Sequence, residues 1–146
     1  MIISFDIDNT LIAYSNEFEG EDQSFLAKLL GAEKLRKGTK DLFRYLEKEG
    51  HEIWIYTTSY RSIFSLRKTF QLQGLYPKRY INEMMNRKTL DAQNCKASKN
   101  PKLFGIDLHI DDSEGVGIEG KRYGFEVLVI RPDNVDWVEL TRMRVS

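Results

Sequence analysis

Four short runs of apolar and β-branched residues recur along the chain: Ile2 to Phe5, Glu52 to Tyr56, Asp107 to Ile110 and Phe125 to Ile130. Each has the length and content of a buried strand. Helical patterns lie between several of them. Leu42, Phe43 and Leu46 share one face of a helix that Thr39 can cap, and Gly50 falls where a left-handed C-cap belongs. Ile63, Leu66 and Phe70 predict a second helix from about Tyr60 to Leu72, ended by Gly74. A last helix is expected over Asn134 to Met143, burying Val135, Val138 and Trp137. Strands that alternate with helices predict an α/β fold with a central parallel sheet.

In open sheets of that kind ligands bind at the carboxyl ends of the strands. Here the first strand is followed by Asp6-Ile7-Asp8, the second by Thr57-Thr58-Ser59 and the third by Asp111-Asp112-Ser113. If the strand period continues past Phe5, Asp6 and Asp8 leave on one face while Ile7 turns into the core. Two adjacent like charges are costly unless a cation neutralises them or one keeps its proton. The plain alternative is a turn, for which Asp, Asn and Thr are common residues. Small polar and acidic groups converging after three strands favour a site.

With 146 residues, 41% of them apolar, one domain over 1–146 has enough material for a core. Lys plus Arg equals Asp plus Glu at 22 each, which gives no global electrostatic footprint for nucleic acid or an acidic membrane surface. The region Pro77 to Lys102 is locally basic, whereas Asn16 to Asp22 is acidic. Cys95 is the sole cysteine, which excludes an internal disulfide and a cysteine metal cluster and fits a reducing cytoplasm. No apolar run approaches the ~20 residues of a membrane span, so no membrane or targeting segment is expected. His51 and His109 read as ordinary strand residues.

Gly115 to Gly120 satisfies G-x-G-x-x-G, but a dinucleotide site needs a crossover helix and only four residues separate Gly120 from the next expected strand. A receiver domain also combines acids, Thr and Lys, in an order this chain does not follow.

Taken in order, the motifs FDIDNTL, IWIYTTS, a lysine within CKASKNPK, and LHIDDS resemble those of the haloacid dehalogenase (HAD) superfamily of phosphatases. The resemblance spans residues 2 to about 130. It implies a three-layer, Rossmann-like, HAD-like domain and a Mg²⁺-dependent phosphatase acting through an aspartyl-phosphate. Asp6 would be the nucleophile and Asp8 the general acid and base. Thr57, with Thr58 next in line, would bind a phosphoryl oxygen, and Thr10 would brace the first loop. Among Lys96, Lys99 and Lys102, Lys99 is favoured as the active-site lysine. The Mg²⁺ ligands would be Asp6, the Asp8 carbonyl and Asp112, with Asp111 holding a metal water or orienting the lysine, although these two could exchange roles.

The implied chemistry has a physical rationale. Unaided phosphate monoester hydrolysis is so slow that accelerations up to ~10²¹-fold are needed, which calls for nucleophile, metal and acid together. The intervals between motifs are too short for a large cap domain. An open site is therefore expected, suited to a phosphorylated macromolecule, or to a phosphorylated small molecule covered by a second subunit. Phosphoryl transfer to an acceptor other than water, or a binding module without turnover, are the alternatives.

Overall fold

The computed structural model describes all of residues 1–146. Its five strands are β1 (Ile2–Phe5), β2 (Glu52–Tyr56), β3 (Arg79–Ile81), β4 (Leu108–Asp111) and β5 (Val127–Val129). They pair in parallel in the order β3-β2-β1-β4-β5. The helices are α1 (Phe25–Leu29), α2 (Thr39–Lys48), α3 (Ile63–Gln71), α4 (Glu83–Ala92), α5 (Glu114–Tyr123) and α6 (Trp137–Val145), with a short 3₁₀ turn at Pro101–Phe104. The expected α/β fold with a parallel Rossmann-like sheet is the one observed.

Register explains the core. Ile3 pairs with Ile53 and Leu108, and Phe5 with Ile55 and Ile110, so odd positions of β1 build an apolar stripe across three strands. Leu42, Phe43 and Leu46 of α2, Leu66 and Phe70 of α3, and Trp137 of α6 complete that layer. The Phe5 and Phe43 rings lie 4.9 Å apart. Even positions face the other way. Trp54 and Tyr56 meet Ile81 and Ile106 there in a smaller cluster, joined by Met85 of α4 and Phe104 of the 3₁₀ turn. Helices thus cover both faces, as a fully buried parallel sheet requires.

Several boundaries differ from the sequence pattern, each for a local reason. Helix α3 starts at Ile63, not near Tyr60, because the Ser62 side chain accepts from the Ser65 N–H as N-cap. Thr39 is the first residue of α2, not its cap; its hydroxyl donates to the Arg36 carbonyl at 2.6 Å, and Gly38 at φ 95° makes the turn. Helix α6 begins at Trp137, which is buried, while Val135 is 89% exposed.

Strand β3 and helices α4 and α5 lack the clear periodicity that marks the other elements. Helix α5 incorporates all three glycines of the G-x-G-x-x-G segment and is itself the crossover from β4 to β5. The expectation that no crossover helix fits there is therefore corrected. The glycines serve packing: a Cβ at Gly120 would lie 2.9 Å from the Phe125 carbonyl oxygen. No glycine loop remains to cradle a pyrophosphate.

Candidate functional site

Strand order reverses between β1 and β4, the place where open α/β sheets form a crevice. Both central strands end there in acid. Asp6 directly follows β1, and its N–H donates to the Ile110 carbonyl at 2.9 Å, holding it beside the end of β4. Asp111 closes β4 and Asp112 follows. One carboxylate oxygen from each of Asp6, Asp111 and Asp112 falls within a set whose members all lie within 4.8 Å of one another. This hard-oxygen donor set suits Mg²⁺ or Ca²⁺.

Lys99 enters from the far face of the sheet, just before the 3₁₀ turn. Its ammonium lies 2.6 Å from Asp6 Oδ1 and 2.6 Å from Asp111 Oδ2. The residue is only 3% exposed, whereas Lys96 and Lys102 are exposed. Beneath it, His109 Nε2 lies 2.9 Å from Asp111 Oδ2 and Nδ1 lies 2.7 Å from Ser4 Oγ. Nε2 also lies 3.3 Å from the Lys99 ammonium; in the tautomer with its proton on Nε2 the ring donates to Asp111, and Nδ1 accepts from the Ser4 hydroxyl. Asp111 also accepts from the Ser113 N–H at 2.9 Å, which engages both of its oxygens. Asp112 has only the Thr10 hydroxyl near it, at 3.4 Å and shared with Asp6 Oδ2 at the same distance, and so keeps more capacity for a cation.

Asp8 is not among the three clustered acids. β1 ends at Phe5, and the main chain turns back so that the N–H groups of Leu11 and Ile12 both donate to the Ile7 carbonyl. Asn9 adopts φ 60° in that turn, and Ile7 is fully buried. The Asp8 side chain lines the same cleft and meets Arg61, whose Nη1 lies 3.0 Å from one of its oxygens and 3.2 Å from the other. Arg61 also makes a two-bond fork with Glu33, Nε to Oε2 at 2.7 Å and Nη2 to Oε1 at 2.9 Å.

Thr57 is buried, with its Oγ1 accepting from the Ser59 N–H at 3.1 Å; Thr58, the alternative named with it, lines the cleft. The cleft, of about 230 Å³, is bounded by Asp6, Asp8, Lys99, Asp112 and Tyr14 among others. A larger groove of about 1410 Å³ shares none of the three clustered acids. The Arg36 guanidinium in that groove is satisfied by the carbonyls of Thr10, Arg131, Pro132 and Asn134.

Burial and neighbouring charge set the protonation of the cluster. Burial pushes the Asp6 carboxyl up to about 7; Lys99 opposes this and the charge on Asp111 adds to it. For Asp111, burial is outweighed by Lys99 and His109, which hold it well below the usual carboxylate range. Lys99 is raised, since Asp6 and Asp111 together overcome its burial. His109 is lowered to about 4 by burial and by Lys99, which keeps the ring neutral.

Arg61, Glu33, His109 and Ser4 were not among the residues expected to matter. A signal existed for His109, which lies two residues before Asp111 on the same strand and hence on its face. Arg61 follows Thr57 by four residues. Nothing in the sequence around Glu33 points to the site.

No protein-family model matches the chain, and no curated protein does. Among solved structures it is similar to a protein described as a predicted HAD-like family hydrolase from Porphyromonas gingivalis, at 13% identity and a TM-score of 0.46 over 99% of this chain and 98% of that one. No helix is long and apolar enough to cross a membrane.

Proposed function

We propose that the chain is a Mg²⁺-dependent phosphatase of the HAD type, hydrolysing a phosphate monoester through an aspartyl-phosphate on Asp6. The observation that carries this reading is the placement of Lys99 at 2.6 Å from both Asp6 and Asp111, beside the three-carboxylate cluster at the crevice of the sheet. Three converging acids with one ammonium leave negative charge in excess, and a divalent cation fits that deficit. Asp6, Asp112 and the Asp8 carbonyl would hold Mg²⁺, with Asp111 engaged mainly by Lys99. The ion, when bound, offsets the charge between an anionic substrate and a carboxylate nucleophile.

The chain's own groups perform the rest. Asp6 attacks phosphorus as the bond to the leaving oxygen breaks, and Asp8 delivers a proton to that oxygen. Asp8 then takes a proton from water, which attacks the phosphorus of the aspartyl-phosphate and frees inorganic phosphate and Asp6. Lys99 stays between Asp6 and the phosphoryl oxygens and stabilises their charge without reorganising. The Thr57–Thr58 turn supplies donors to the phosphoryl group.

A single domain with no large cap and an open cleft suits a phosphorylated macromolecule or small molecule, in a reducing cytoplasm. The test is release of p-nitrophenol from its phosphate ester with Mg²⁺, with chelator, and in Asp6→Asn. Metal-dependent release lost in the variant supports the reading; release that survives Asp6→Asn contradicts it.

A further inference from the structure

Asp8, which lines the cleft, is held by a cation that the motifs do not account for. Arg61 directs three N–H groups at acids: Nε and Nη2 at Glu33, and Nη1 at Asp8. Its side chain is 22% exposed and that of Asp8 23%. Both ends of the bridge are tied down. The Arg61 carbonyl accepts from Asn82 Nδ2 at 3.1 Å, and Asn82 is itself the N-cap of α4. Glu33 donates its N–H to Thr69 Oγ1 at 3.2 Å, and its carbonyl accepts from Gln73 Nε2 at 2.9 Å, which fixes it to α3. With two acids on one guanidinium, the Arg61–Asp8–Glu33 triad has no spare positive charge and is poorly suited to bind a phosphate.

We propose that Arg61, clamped by Glu33, is a positioning residue that holds the Asp8 carboxyl on the leaving-group side of the cleft and out of the Asp6–Asp111–Asp112 cluster. This rests on the phosphatase reading. Without the clamp, a flexible side chain in the same small cleft is free to turn toward a cation held by those acids, where it is misplaced for proton delivery. A guanidinium fork is suited to this because it fixes direction as well as charge. Glu33 lies in the segment between β1 and α2, so that segment contributes to the site through orientation of Asp8 and not only through cover.

The experiment compares two esters whose need for leaving-group protonation differs, p-nitrophenyl phosphate and glycerol phosphate. In Arg61→Gln, kcat/KM for glycerol phosphate is expected to fall about 10- to 100-fold, within the range of a misdirected general acid, and that for the aryl ester only about threefold. Glu33→Gln should show the same selectivity with a smaller loss, and Arg61→Lys should recover part of the glycerol phosphate rate. Equal losses on both esters, or no loss on either, would overturn the proposal. A crystal structure of Arg61→Gln supplies a readout without turnover: the Asp8 carboxyl is expected to leave its wild-type position, and its retention there would overturn the clamp. If the folded wild type hydrolyses neither ester, the phosphatase reading fails together with the leaving-group role. The crystallographic arm still decides whether Arg61 holds Asp8.

Discussion

The two walls of the cleft are built by different means. On one, Asp6 and Asp111 sit at the ends of adjacent strands, 6% and 1% exposed, and are joined through a buried ammonium to His109 and Ser4. On the other, Asp8 lines the cleft and a half-buried guanidinium outside the lining ties it to Glu33, both acids coming from loops. The first wall inherits its precision from sheet register: Ser4 pairs with His109 and Phe5 with Ile110, which places Asp6 against the end of β4. The second has no such scaffold and obtains fixed geometry from a three-residue ionic clamp. On the proposed phosphatase reading, the nucleophile belongs to the strand-end wall, and the acid that must exchange protons with water belongs to the loop-built one.

The largest effects should separate the two walls by chemistry. Asp6→Asn is expected to abolish detectable turnover of glycerol phosphate, and Asp8→Asn to cost about 10²–10⁴-fold, as measured by initial rates with Mg²⁺. Equal residual activity would erase the distinction in role.

Stability should separate them next. Lys99→Ala leaves two buried carboxylates without their cation and is expected to destabilise by ~3–5 kcal/mol. Arg61→Ala, at a partly solvated site, should cost about 1 kcal/mol or less. Urea midpoints at equal slope check this, and comparable losses would show that the open wall is as integral as the buried one.

A third contrast is in pH. For metal-free protein, Asp6 titrates near 7 when folded and near 3.8 when unfolded, so its contribution to stability falls as pH rises between those values. His109 titrates near 4 when folded against 6.5 unfolded, so its contribution rises with pH over that interval. The two oppose each other between about pH 4 and 6.5. Asp6→Asn removes the falling component, and its melting temperature in chelator should climb with pH across this window more steeply than that of the wild type. Parallel profiles would contradict the burial assigned to Asp6. A smaller loss than that of Lys99→Ala is expected for Ser4→Ala, which leaves His109 Nδ1 without its hydrogen-bond partner and should cost roughly 1–2 kcal/mol, read from the same denaturation curves.

What the sequence made legible follows the same division. Strand ends announce themselves because two of the short apolar runs stop at acids, and so Asp6, Asp111 and Asp112 could be placed on one edge of the sheet. Lys99 was legible through the Lys-Asn-Pro run that precedes a short helical turn. Asp8 lies three residues beyond the end of β1, so the strand period does not set its direction; the turn at Asn9 does, and that turn is a tertiary result. Glu33 was invisible because nothing local constrains it, and its contact with Arg61 depends on how the β1–α2 segment packs on α3. Strand β3 and helix α4 were missed because three residues are too few to show a period and α4 buries only Asn86 and Leu90. The glycines of α5 hid a helix because Gly is a poor helix former, and close packing on β5 overrides that preference here.

The central claim is that Asp6 carries the phosphoryl group. It is tested most directly by quenching the protein in acid during turnover of a ³²P-labelled phosphate ester with Mg²⁺, then mapping the labelled peptide. The account predicts base-labile and hydroxylamine-labile phosphate on the peptide containing Asp6, absent in Asp6→Asn. Metal-dependent turnover with no label on the protein, or with label on another residue, would contradict it.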